Sequence, residues 1–213
     1  MAHLHYSPPL GFVEEARGLL DTLDGDDPVA CTVDRRLIIA WTSPAWDERA
    51  RLVPTLVQPQ VVGRPFFEGI MPPLDGFYRR QLLRTLEDGH VWRHEYLGPT
   101  RDELNICVLT VHPLRGGQGL LLVHEKVLTR PHERLVLDPD IERYRGPQGT
   151  LRICGSCRMV ALQNGTNTWD FLPSLLGPPR GGLPTVWTLC PSCAVHYERL
   201  DDEAEGPRSR RRR

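Results

Sequence analysis

The sequence predicts an α+β protein: two short strands, short helices, one longer helix and three further strands, then a small module held by four cysteines. Three features carry this reading. Runs of β-branched and apolar residues are bounded by turn residues, segments of helical periodicity lie between them, and two Cys-x-x-Cys pairs stand late in the chain. With 213 residues there is room for one medium domain and a small one. Hydrophobic residues at 40% and charged residues at 25% describe an ordinary globular composition. A formal net charge of −1 selects neither a nucleic acid nor a membrane as partner. The 20 prolines and 19 glycines fall mostly between the blocks, which points to compact units joined by stiff connections.

Residues 1–26 read as a leader followed by an amphipathic helix. Phe12, Ala16, Leu19, Leu20 and Leu23 share one helical face, with Glu14, Glu15, Asp21 and Asp24 largely opposite, and Gly25-Asp26-Asp27-Pro28 ends the helix. Two strand-like runs follow, Val29 to Val33 and Leu37 to Trp41, joined tightly by Asp34-Arg35-Arg36. Ser43 before Pro44 predicts an N-cap with proline at the first helical position, opening a short helix to about Leu52. Pro54, Pro59 and Pro65 interrupt the next stretch. A longer helix is expected over Asp75 to Asp88, with Phe77, Leu82, Leu83 and Leu86 buried and Gly89 as its stop. Val91 to Leu97, Leu104 to His112 and Gly119 to Leu128 then read as strands, with turns at Gly98-Pro99 and Arg115-Gly116-Gly117.

This order, together with Ala30-Cys31-Thr32-Val33-Asp34, Ser43-Pro44-Ala45-Trp46, Val62-Gly63-Arg64-Pro65-Phe66-Phe67 and Val111-His112-Pro113-Leu114, resembles a PAS domain, the small sensor module of bacterial signalling proteins. The resemblance covers residues 27–129. It implies a PAS-like five-stranded antiparallel sheet with flanking helices, and a sensing or protein-interaction role. It also implies pairing of two copies through the helix before the first strand, here Gly11 to Leu23. Residues 130–150 are charged and contain proline, with Leu135, Val136 and Leu137 as their apolar cluster, and are expected to form a linker.

Cys154-Gly-Ser-Cys157 and Cys190-Pro-Ser-Cys193 are separated by 32 residues. Two intervening residues let both sulfurs of a pair face one point, and two such knuckles supply the tetrahedral four-thiolate shell that zinc favours. A segment of this size buries too little to fold unaided, so residues 151–200 are expected to form a module around structural Zn2+ with Cys154, Cys157, Cys190 and Cys193 as ligands. An iron–sulfur cluster and thiol redox chemistry are the competing uses of the same residues. His196 could serve as a ligand only in place of a cysteine. Leu151 to Val160, Gly165, Trp169, Leu189 to Cys193 and Tyr197 resemble a cysteine-rich, zinc-ribbon-like tail carried by bacterial PAS proteins and response regulators. Two departures stand out: Thr188-Leu189 occupies the place of that tail's His-Gly pair, and the insert Gly177 to Gly182 is rich in glycine and proline.

No stretch approaches the roughly 18 apolar residues of a membrane helix, and Met1 to Pro9 lacks the basic start of a secretory signal. The expectation is therefore a cytoplasmic protein without a membrane partner, in a compartment where paired cysteines serve metals or redox chemistry. No phosphate-binding glycine loop, Gly-x-Ser-x-Gly elbow or His-Glu-x-x-His motif occurs, and kinase, cyclase and phosphodiesterase signatures are lacking, so no enzymatic activity is expected. His90, His94, His112 and His124 are the residues a haem would need to choose from, and each is expected to be solvated or hydrogen-bonded instead. Cys31 and Cys107 read as small core residues. The ligand of the PAS-like cavity stays unassigned. Residues 201–213 form a charged tail, expected to be disordered, with five arginines between Arg208 and Arg213.

The combined reading is a sensory or adaptor protein in bacterial signalling that meets a protein partner. The alternatives are a zinc-dependent nucleic-acid-binding regulator using the arginine run, or a thiol redox sensor.

Overall fold

The computed structural model describes residue 8 and residues 11–23, 28–52, 61–164, 167–176 and 183–205, without the side chains of 50–52 and 202–205. The expected leader, the turn at 24–27, Pro54, Pro59, Gly165, the insert at 177–182 and the arginine run lie outside the described residues.

The five expected strands form one antiparallel sheet: β1 (Val29–Asp34), β2 (Ile39–Thr42), β3 (Trp92–Pro99), β4 (Glu103–Pro113) and β5 (Gly119–Pro131). Their order is β2-β1-β5-β4-β3, with β5 central. Flanked by helices on both faces, this is the PAS-like arrangement that the resemblance implied. The β1–β2 connection is one residue longer than the sequence suggested, and Ile39 instead of Leu37 opens β2. Asp34 Oδ1 accepts from the N–H groups of Arg36 and Ile38 at 2.8 and 2.9 Å, and Leu37 turns at φ 60 with its side chain buried. The expected turn at Gly98-Pro99 is instead the end of β3. Pro99 sits on the outermost strand, where a missing N–H breaks no ladder, and the chain reverses at Thr100, whose N–H donates to the Glu103 carbonyl.

Helix α1 (Phe12–Leu20) packs on one face of the sheet. Phe12 and Ala16 are buried against Ala30, Ala40 and Leu121 of the same chain. The apolar stripe named above as a dimer face is therefore already used within the molecule; the residues α1 leaves in solvent are Glu14, Arg17 and Gly18. Gly119 permits this packing, because a Cβ there would run into the Val33 carbonyl and the Phe12 ring.

Helices α2 (Pro44–Leu52) and α3 (Pro72–Asp88) lie on the opposite face. Ser43 opens α2 as its sequence predicts: Oγ accepts from the N–H groups of Trp46 and Ala30 and donates to the Pro28 carbonyl. Helix α3 begins three residues earlier than expected, with prolines in its first turn, and closes at Gly89 with φ 69. Its buried stripe is Leu74, Phe77, Tyr78, Gln81, Leu82 and Thr85, so Leu83 faces solvent instead of the core.

Residues 130–150 continue β5 to Pro131 and then join the C-terminal module. The Val136 N–H donates to the Phe171 carbonyl, the His132 ring stacks on Phe171 at 3.5 Å, and Tyr144 is buried with Leu151, Ile153 and Leu172. Arg134 is held by the Asp170 carboxylate, which also accepts from the Tyr144 hydroxyl at 2.9 Å. The module itself is a small sheet of β6 (Leu151–Cys154), β7 (Val160–Ala161), β8 (Trp169–Asp170) and β9 (Thr185–Thr188) in the order β8-β7-β6-β9, followed by α4 (Pro191–Glu205). Strands β6 and β9 run parallel. Helix α4 continues through 201–205, the first part of the expected tail, where Asp201 pairs with Arg80 of α3 at 2.6 Å. Among the described residues no helix is long and apolar enough to cross a membrane.

Candidate metal centre

Cys154 ends β6, and the chain turns through Gly155 and Ser156 to Cys157. Arg158 then takes a left-handed conformation (φ 63) and donates its N–H to the Cys154 carbonyl at 3.1 Å. The second knuckle stands at the mouth of α4: Cys190 precedes Pro191, and Cys193 lies in the first turn. Parallel pairing of β6 with β9 places Cys154 opposite Thr188 and so brings the two knuckles together. Two bonds tie them, Gly155 N–H to the Thr188 carbonyl at 2.7 Å and Cys190 N–H to Cys154 Sγ at 3.4 Å.

All four cysteines are buried, and their sulfurs lie within 4.8 Å of one another. The Cys157 and Cys190 sulfurs are 3.7 Å apart. Four thiolates around one ion at about 2.3 Å stand about 3.8 Å from each other in a tetrahedron, so this spacing fits a metal and is far from the roughly 2.05 Å of a disulfide. Hydrogen bonds from the Cys157, Cys190 and Cys193 thiols hold Cys154 well below the ordinary thiol range. Four buried sulfurs converging on one point could hold a metal ion. Burial pushes the Arg158 guanidinium down while Cys154 and Cys157 pull it up, and its charge lies over the Trp187 ring at 5.0 Å. His196 stands apart from the sulfurs, its ring facing His94 and Tyr197 at 6.3 and 5.3 Å.

The centre is seated on the PAS-like unit. One continuous core runs from the α3-covered face of the large sheet, through Phe77 and Tyr78 of α3, to Tyr197 and the four cysteines. Phe77 meets Tyr197 edge-on at 5.0 Å, and Gly155 lies so close to α3 that a Cβ would sit 3.1 Å from that of Met71. His94, expected to be solvated or hydrogen-bonded, is instead walled in by Phe77, Tyr78, Trp92, His196 and Tyr197, with Nε2 left without a partner. Burial, then the nearby His196, pushes it down to about 4. The alternation of Trp92, His94 and Tyr96 signalled a one-sided strand in the sequence, but nothing there indicated that Tyr197 would close over it. His90 is exposed, whereas His124 is half-buried with Nδ1 2.9 Å from the Tyr96 hydroxyl. Cys31 and Cys107 are buried core residues.

No family model and no curated protein matches the chain. Among solved structures it is similar to a sensory box sensor histidine kinase from Vibrio cholerae, at 16% identity and a TM-score of 0.38 over 53% of this chain and 89% of that one. It is also similar to the PAS domain of the quorum-sensing receptor RpfR from Cronobacter turicensis, solved in complex with BDSF, at 15% identity and a TM-score of 0.38 over 50% of this chain and all of that one (100%). A third is the VqmA–ligand–DNA complex of Vibrio cholera, at 19% identity and a TM-score of 0.38 over 53% of this chain and 50% of that one. The chain's own strand order and helix placement are PAS-like, and a four-cysteine cluster follows the large sheet.

Proposed function

We propose that this chain is a non-catalytic sensory or adaptor protein of bacterial signalling, working in the cytoplasm. In this reading the PAS-like unit receives a signal or a protein partner, and a structural zinc ion, held by Cys154, Cys157, Cys190 and Cys193, keeps the C-terminal module rigid against it. The observation that carries the reading is the shared core, in which Phe77 and Tyr197 join the α3-covered face of the sheet to the cysteine cluster. Bound zinc supplies folding energy, on the order of 10 kcal/mol in small zinc-dependent units. With sulfur in all four positions it offers no open coordination site for catalysis. The protein's own part is to bring the two knuckles together through β6 and β9 and to place Arg158 beside the excess negative charge of four thiolates. A rearrangement on the α3-covered face then bears directly on the seat of the module.

Metal analysis of tag-free protein tests the reading. We expect about one zinc per chain, lost in Cys154→Ser, Cys190→Ser together with the ordered environment of Trp169 and Trp187. Iron with a visible absorbance band, or a metal-free protein whose thiols oxidise readily, would refute structural zinc and favour redox sensing.

A further inference from the structure

The large sheet ends at β3, which pairs with β4 on one side only. The Thr100 N–H donates to the Glu103 carbonyl in the same register that sets Trp92 opposite Val111. Trp92, His94, Tyr96 and Gly98 therefore turn their backbone groups toward β4, and the N–H and C=O groups of Arg93, Glu95 and Leu97 point away from the sheet. Among the described residues no backbone hydrogen bond reaches these outward groups. Val91, Arg93 and Glu95 are exposed and Leu97 is half-buried. Neither Arg93 nor Glu95 forms an ion pair among the described residues.

An open row of backbone donors and acceptors is a template for another strand, and charged side chains ordinarily guard it. Here the guard has a gap. Laid antiparallel against a second copy of itself, β3 repels in the register centred on Arg93, which sets two guanidinium groups opposite each other. The register centred on Glu95 sets two carboxylates together and repels as well. Centred on His94, the pairing sets Arg93 opposite the partner's Glu95 and Glu95 opposite the partner's Arg93, while Val91 meets the partner's Leu97. Other registers set a charge against Val91 or Leu97. The His94-centred ladder also closes at the same step from both directions, because its next pair would join Pro99, which has no N–H, to Gly89, which turns out of the strand at φ 69.

We propose that two copies of this chain pair through β3 in the His94-centred register, joining their five-stranded sheets edge to edge. The contact lies at the sheet edge and not at α1, whose apolar stripe is spent within the chain. Both copies of His94, the residue over which Tyr197 closes, then stand at the centre of the contact, beside the seat of each cysteine module. The inference needs neither the metal nor the sensory reading.

Sedimentation velocity of the full chain, from low micromolar to submillimolar concentration, tests it. The expected result is a reversible dimer, with amide exchange at Arg93, Glu95 and Leu97 slowing as it forms. Arg93→Glu and Glu95→Arg each make both charged pairs repulsive, and each should weaken association by about tenfold or more. Mixed in equal amounts, the two variants again oppose unlike charges at both positions and should associate with each other as the wild type does with itself, a rescue that a folding defect cannot give. A monomer at every concentration overturns the proposal. So does a dimer that neither single variant weakens, or a pair of weakened variants that fail to associate when mixed.

Discussion

The contact between Phe77 of α3 and Tyr197 of α4 should make the PAS-like sheet and the metal module unfold as one body. The rings meet edge-on at 5.0 Å, both are nearly free of solvent, and the Tyr197 hydroxyl bonds to Tyr78 and Ser156 on the two sides of the junction. Phe77→Leu and Tyr197→Leu each remove part of a buried ring, and each should cost about 1–3 kcal/mol. An aromatic pair adds roughly 0.5–1.5 kcal/mol beyond the area it buries, so the double variant should lose less than the two single losses combined, by about that amount. For a chain of this size every kcal/mol moves the midpoint by about 2–4 °C. Guanidinium unfolding of the four metal-loaded proteins supplies the free energies. Fluorine NMR of fluorotryptophan-labelled protein reports Trp41, Trp46 and Trp92 separately from Trp169 and Trp187. We expect coincident transitions in both groups. Losses that add to within about 0.3 kcal/mol, or a C-terminal transition that ignores Phe77→Leu, would refute a shared core.

Four further outcomes follow from the same geometry. Chelation of the metal at neutral pH should perturb Trp92, which packs with Phe77 and His94, as well as Trp187, and fluorescence of single-tryptophan variants reads both. His94, lowered from 6.5 to about 4, binds protons less readily folded than unfolded. Its contribution is therefore complete above the unfolded value and is lost as pH falls from there toward 4, by about 2 kcal/mol between about pH 7 and pH 5. The groups facing it are Tyr78, Tyr197 and His196, so His94→Phe, measured beside the wild type, separates this loss from acid release of the metal. Gly119→Ala should be among the most damaging single changes, because the new methyl collides with the Val33 carbonyl and the Phe12 ring; thermal unfolding should show a loss of roughly 3 kcal/mol or more. Asp170→Asn should cost about 1.5–3 kcal/mol in denaturant titrations, since a buried carboxylate that accepts from Arg134 and Tyr144 would lose its charge.

Much of the architecture was legible because it is written in local chemistry. Ser43-Pro44 states a helix start, Gly89 a helix stop, and the two Cys-x-x-Cys pairs a point of convergence, and each acts within a few residues of itself. The errors were local too. Pro99 reads as a turn because proline usually interrupts strands, yet on an outermost strand it interrupts nothing. Leu83 reads as core on its hydrophobicity, but it lies off the stripe that Leu74, Phe77, Tyr78 and Leu82 define; Tyr78, Gln81 and Thr85 are buried while it is not.

The seat of the metal module was not legible, for a different reason. Phe77 and Tyr197 are far apart in sequence, and each satisfies its own helical pattern without the other. A buried aromatic residue on α3 is explained equally well by the sheet beneath it. The connector shows the same ambiguity: Leu135, Val136 and Leu137 form one apolar cluster in sequence, but Val136 enters the small core while Leu137 remains largely in solvent. What fixes the docking is the sum of several weak, distant matches. The close approach of Gly155 to Met71 demands a residue without a side chain, His132 stacks on Phe171, and the helix that carries Cys193 must also present Tyr197 one turn later. That last requirement joins the cysteine cluster and the PAS-like sheet most directly. Cys193 and Tyr197 lie four residues apart on α4, hence on one face, so an ion held by Cys193 would also set the angle at which Tyr197 meets Phe77.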